Sequence, residues 1–304
     1  MYLPHLVFED RAFGALVLPN CRLEALWTGA RWIEGPAWFP AGRYLLFSDI
    51  PEDRMMRYDD TDGSVSVFRS PSQHSNGNTR DPQGRLVSCH HLGRCVTRTE
   101  FDGTVRVIAD RFQGRRLNSP NDVVVSSDGA VWFTDPTYGI DMDYEGQRAE
   151  SEIGASHVYR IDPDSGDVAA VATDFVKPNG LAFSPDESLL YIADTGASHV
   201  EGGPRHIRRF RVRGDRLQGG EVFAECSNGF FDGFRCDRLG NLWCSSAEGV
   251  HCLNPEGALI GRIMVPEVVA NVCFGGPKMN RLFIAGSTTL YATFLNVSGL
   301  NVSG

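Results

Sequence analysis

The sequence predicts an all-β fold, a six-bladed β-propeller, from three observations. A tight turn feeding a short strand of β-branched and aromatic residues recurs at 40–49, 81–89, 127–135, 184–194, 237–245 and 276–285, as expected of hairpins with a buried strand. The copies stand roughly 40 to 60 residues apart, the length of a four-stranded blade rather than of a helical hairpin or a leucine-rich turn. No stretch sustains an apolar period of 3.6, so the pattern offers no amphipathic helix. The alternative on the same turn signals is a pair of β-sandwich domains.

The copy at 127–135 shows the logic of the others. Ser127, Asp128 and Gly129 supply the turn, Val131, Trp132 and Phe133 the strand, and Thr134 and Asp135 its end. Further strand-like runs at 65–68, 104–108, 157–161 and 206–212 fill the gaps between copies. Because the copies run from end to end with no Pro/Gly/Ser linker, they predict one propeller domain over 1–304. A short N-terminal extension, 1–22, and a C-terminal tail, 295–304, flank it. The tail repeats itself, Asn296 to Leu300 and then Asn301 to Gly304, and reads as a frayed or artificial end. Its Asn-x-Ser sequons mean little in a chain with no sign of secretion.

Composition narrows the function classes. The 33 glycines and 16 prolines suit a turn-rich β protein, and 42% hydrophobic residues suffice for a sizeable core. A net charge of -9 argues against a nucleic-acid partner, because the basic clusters at 111–116 and 205–213 are short and read as solvated strand faces. No apolar run is long enough to span a bilayer, and the N-terminus carries acids where a signal peptide is basic. The expectation is a soluble, cytoplasmic chain with no membrane partner, monomeric or homodimeric. The eight cysteines are scattered with no CxxC pair, so neither a zinc-thiolate site nor a disulfide framework is expected.

A ligand in a propeller channel must be held by several blades, so its residues lie far apart in sequence. Four acids and amides stand at equivalent points before the repeat turns: Glu34, Asn121, Asn179 and Asp232. Each is flanked by Gly or Pro and followed by an apolar run. Asn76 and Asn271 hold the corresponding places in the two remaining repeats. Two carboxylates and two amides converging on one point are costly to bury unpaired, and a divalent cation resolves that cost. All-oxygen ligands in a loose, partly hydrated geometry suit Ca2+ first, with Mg2+, Mn2+ or Zn2+ as alternatives. Taken singly, each residue has a competing role as a cap on its own turn.

At these residues the chain resembles the gluconolactonase, senescence-marker-protein (SMP-30) and luciferin-regenerating-enzyme family, and bacterial gluconolactonases above all. The resemblance spans nearly the whole chain. It is carried by Glu34-Gly35-Pro36, by the run 118–139, by 178–186, by Phe231-Asp232-Gly233 and by 271–276. It implies one divalent metal in the channel, bound by residues corresponding to Glu34, Asn179 and Asp232. Asn121 corresponds to an amide that contacts metal or substrate. It also implies metal-assisted hydrolysis of a sugar lactone, with related propellers hydrolysing organophosphates.

In that chemistry a metal polarises the carbonyl and activates water, and Asp232 is the expected base, with simple ligation its competing role. Asn118, Asn121, His91, Arg94 and Tyr138 are the expected substrate contacts, each with an ordinary loop role as the alternative. Asp135 and Asp194 close equivalent turns and either reach the channel or cap the strand. The adjacent pair His90 and His91 suggests metal only weakly, since neighbouring strand residues point to opposite faces. Two other classes remain: a phosphotriesterase-like metal hydrolase, which wants a more apolar pocket, and a non-catalytic binding propeller.

Overall fold

Each repeat copy forms the turn between the first two strands of a sheet, together with the second strand itself. In the computed structural model, which describes residues 5–300, six antiparallel sheets form the blades. Their second strands are Tyr44–Asp49, Leu86–His90, Val131–Asp135, Leu189–Asp194, Leu242–Ser246 and Arg281–Gly286. The turn chemistry explains the recurrence. In blade 3, Asp128 accepts from the Ala130 amide at 3.0 Å, and Gly129 takes a φ of 89° that a side chain would disfavour.

The first strands are Ile33–Phe39, Ser75–Arg80, Val123–Val125, Pro178–Phe183, Phe234–Cys236 and Val269–Gly275. They pack against one another from blade 1 round to blade 6 and back, and so enclose the channel. Blade 6 takes its outer strand, Glu24–Thr28, from the N-terminal side of blade 1, which ties the ring shut. The segment before it is docked as well: Leu6–Phe8 pairs with Leu259–Met264 as a fifth strand of blade 5. Phe13 is fully buried with its ring 6.0 Å from that of Trp243.

The core lies between blades. Trp132 of blade 3 meets Phe183 of blade 4 edge-on, and Trp38 of blade 1 stacks on Phe283 of blade 6 at 5.5 Å. Burial of each such side chain contributes roughly 1.5–3 kcal/mol, which makes the alternating apolar positions the main adhesive of the ring. All eight cysteines are buried and unpaired. Among the described residues no helix is long and apolar enough to cross a membrane.

The expectation of a frayed end at 296–300 is corrected. Leu295 and Val297 are buried, the Asn296 amide donates to Leu16 O at 2.8 Å, and Gly299 bridges Asp237. These apolar side chains and backbone groups find partners on the blades, so the segment is part of the packed body. Asn301 to Gly304 lie outside the described residues.

Candidate active site at one mouth of the channel

Local irregularity is what turns polar side chains into the channel. The ladder between first and second strands slips between Glu34 and Ala37, between Ser75 and Asn78, and between Pro178 and Leu181. Such bulges re-aim a side chain, and the Gly or Pro beside each candidate residue permits them. Asn121 and Asp232 stand just before their short strands. The glycines have a second role at the blade junctions. A Cβ on Gly35 would lie 2.0 Å from Asn76 O, and one on Gly180 would lie 2.0 Å from Asp232 O. Only glycine lets adjacent blades approach this closely at the height of the site.

Glu34, Asn121, Asn179 and Asp232 line one cavity of about 160 Å³, with Asn76, Tyr138, Glu145, Thr195 and Ser198 as further polar lining and Trp32, Ile50 and Phe230 as its apolar part. The Glu34 carboxylate is buried and fixed: Oε2 accepts from the Gly35 amide at 2.7 Å and from Asn271 Nδ2 at 2.9 Å. Asn271 therefore orients Glu34 and does not line the cavity. Burial pushes the Glu34 carboxyl well above the ordinary carboxylate range, the two hydrogen bonds offset part of this, and the charge of Asp122 adds to the rise. Asp232 keeps access to the cavity yet sits deep in the protein. Burial raises it strongly, and the charges of Glu34, Asp122 and Glu145 add to that.

Tyr138 sits at the cavity wall, its hydroxyl 2.5 Å from Thr195 Oγ1 and 3.2 Å from Ser198 Oγ. Lys177 stands 4.8 Å above its ring and pairs with Asp141 at 2.6 Å. This wall comes from two long loops, 136–155 in blade 3 and 195–205 in blade 4. Glu145 comes from the first of them, with its carboxyl raised by burial to about 7. Sequence reasoning missed it because no repeat position predicts it. The available signal was the wide spacing of the repeats on either side of that loop.

Three expected substrate contacts lie outside the cavity lining. Asn118 is fully buried, and its side chain is consumed by Asp135 O, Ala155 O and the Ser151 hydroxyl. Arg94 donates through Nε to Leu117 O at 2.7 Å. His91 stands behind the lining, with Nε2 3.1 Å from Asn76 Nδ2 and Nδ1 3.2 Å from Glu145 O. Its pKa is lowered by burial to about 3, so the ring is neutral. Asp135 and Asp194 cap backbone and do not line the cavity, and burial raises Asp135 to about 7 against the hydrogen bonds it accepts.

The donor set fits a hard divalent cation. The carboxylates of Glu34 and Asp232, both raised by burial, face the cavity with the amides of Asn121 and Asn179, and Asn76 Oδ1 is buried without a partner beside them. Among the described residues no three His, Cys, Asp or Glu side chains form a metal cluster, so amide oxygens must complete any such set.

The family model described as the SMP-30/gluconolactonase/LRE-like region matches residues 32–288. The chain belongs to this family. A gluconolactonase from Zymomonas mobilis is 32% identical over 289 residues, covering 87% of this chain and 79% of the relative. A pentonolactonase from Haloferax volcanii is 30% identical over 271 residues, covering 84% and 82%. Among solved structures, a gluconolactonase from Xanthomonas campestris superposes with a TM-score of 0.89 at 39% identity, covering 95% of this chain and 94% of that one. The calcium-binding protein regucalcin from Agrobacterium tumefaciens shares the fold, with a TM-score of 0.74 at 22% identity over 90% and 94% of the two chains.

Proposed function

We propose that this chain hydrolyses the ring ester of a sugar lactone to the aldonic acid, with one divalent cation, Ca2+ first, held by Glu34, Asn121, Asn179 and Asp232. The observation that carries this reading is the cavity itself: carboxylates and amides from blades 1, 3, 4 and 5 meet there, with the hydroxyls of Tyr138, Thr195 and Ser198 and the Asn76 amide beside an apolar wall of Trp32, Ile50 and Phe230. A polyhydroxylated ring needs such partners, whereas the phosphotriesterase reading calls for a more apolar pocket. The lactonase names of relatives at 30% identity or more support the same choice.

A cation bound there would supply positive charge to the lactone carbonyl as negative charge develops on its oxygen. Asp232 takes a proton from the attacking water as the oxygen bonds to the carbonyl carbon. The carbon–ring-oxygen bond then breaks, and Asp232 returns the proton to the departing ring oxygen. Glu34 cannot swing to do this, because Gly35 and Asn271 hold one of its oxygens. Tyr138, Thr195, Ser198 and Asn76 offer hydrogen bonds to ring hydroxyls, and Trp32 and Phe230 close the apolar side.

The test is a panel of aldonolactones and one phosphotriester, followed by fast proton release with and without chelator. Chelator-sensitive turnover on a lactone above the spontaneous rate is expected. Turnover on no lactone, or on the phosphotriester alone, would overturn the proposal.

A further inference from the structure

The cavity residues sit where the ladder is broken, so something other than strand pairing must hold their backbone. We infer that Asp49, Asp135 and Asp194 are positioning residues of the site, each pinning the loop that presents a candidate ligand. The inference rests on the metal-site reading above.

Each of these aspartates ends the second strand of its blade, and each is buried. Each accepts two consecutive backbone amides from the loop that enters the first strand of the same blade. Asp49 Oδ1 takes Arg31 and Trp32 at 2.9 and 3.3 Å. Asp135 takes Asn118 and Ser119, both at 2.9 Å, on its two oxygens. Asp194 takes Val176 and Lys177 at 3.0 and 2.9 Å, also on separate oxygens. The candidate ligands Glu34, Asn121 and Asn179 each follow the second pinned amide by two positions.

A strand cap alone does not explain this distribution. Blades 2 and 6 have the same strands, yet they end in His90, which bonds Ser72 O, and in Gly286; the loop entering blade 2 is held instead by Asp53 of blade 1, whose Oδ1 takes the Ser72 and His74 amides at 3.0 and 2.7 Å. Neither blade supplies one of the four candidate ligands. In blade 5 the ligand itself is pinned, as the Asp232 amide donates to Ser245 Oγ at 2.9 Å. The strand-end aspartate therefore occurs in three of the four blades that supply a candidate ligand and in neither of the other two. In Asp135 and Asp194 the carboxylate offers one oxygen to each amide, whereas an asparagine keeps one oxygen and turns an NH2 against the other. The freed peptide can rotate, and a ligand two residues on moves with it.

The test compares Asp135→Asn and Asp194→Asn with Asp237→Asn. Asp237 is equally buried, but it bonds Asn241 and the Trp243 indole at a strand turn away from the cavity lining. Ca2+ affinity by calorimetry is expected to weaken about 10- to 100-fold in the first two and to stay within about twofold in the control, at comparable loss of Tm. In the metal-free protein, hydrogen exchange of the Asn118 and Ser119 amides is expected to accelerate in Asp135→Asn alone, and that of Val176 and Lys177 in Asp194→Asn alone. Affinity shifts no larger than the control's, or unchanged local exchange, overturn the inference. A wild-type protein that binds no Ca2+ counts against the metal reading instead, and local exchange then decides the positioning role. Should one variant fail to fold, the other carries the comparison.

Discussion

The two ends of the channel lie on the same ring of first strands and differ in which charged groups they carry. At the site end, the cavity of about 160 Å³ gathers Glu34, Glu145 and Asp232 with amides and hydroxyls. The opposite mouth is larger, about 360 Å³, and is lined by Trp38, Val124, Phe183, Phe274 and Met279 with two arginines, Arg80 and Arg235. Size thus fails to mark the site. The strand starts, where bulges and Gly or Pro interrupt pairing, aim carboxylates and amides inward, while the opposite mouth sets its two arginines, Glu187 and small polar groups such as Asn78 and Ser184 among apolar side chains.

If chemistry rather than volume divides the two ends, the largest effect belongs to Asp232. Asp232→Asn is expected to lower kcat by about 10²- to 10⁴-fold while metal content, measured by elemental analysis, is retained. Loss of metal together with activity would make Asp232 a ligand only, and full activity would remove it from the mechanism.

The next effect is on pH. Glu34 and Asp232 are raised by burial, so the metal-free folded state holds protons that the unfolded chain releases at ordinary carboxylate pKa values. Their contribution to stability is full at low pH and is lost as pH rises through the folded values. Ca2+ bound by the two carboxylates would displace those protons. Its affinity should therefore rise with pH above the ordinary carboxylate range, by about tenfold per unit for each proton displaced. Calorimetry in buffers of different ionisation enthalpy counts the protons, and a flat profile would mean that the carboxylates are already charged.

A smaller effect is expected at the wall. Tyr138→Phe removes one hydroxyl shared with Thr195 and Ser198, and kcat/KM should fall about 2- to 10-fold. Steady-state kinetics with the preferred lactone measures this. The smallest effect belongs to the opposite mouth, where Met279→Ala should leave kcat/KM within about twofold while lowering Tm. An activity loss there comparable to that of Tyr138→Phe would end the division between the two mouths.

Much of this was legible because propellers write their architecture as a repeat. A turn and a strand had to recur for each blade, so Asp128-Gly129 and its counterparts located the six second strands, and position relative to them located Glu34, Asn121, Asn179 and Asp232. Residues outside the repeat were not legible. Glu145 comes from a long loop that lies outside the repeated turn-and-strand pattern. Asn118, His91 and Arg94 looked like mouth residues, yet Asn118 bonds the backbone at Asp135 and Ala155, and His91 stands one layer behind Asn76. Polar loop residues read alike in sequence whether they face a cavity or a backbone carbonyl.

By itself the sequence determined the blade count, the turn chemistry and the order of acids and amides along the chain, because these depend on periodicity and on local conformational preference. Only the tertiary structure decided which side chains share a cavity, that Asn271 is spent orienting Glu34, and that the segment around Val297 is buried against the blades. Those outcomes depend on where distant blades meet when the ring closes, and contacts across such distances leave no local pattern in the sequence.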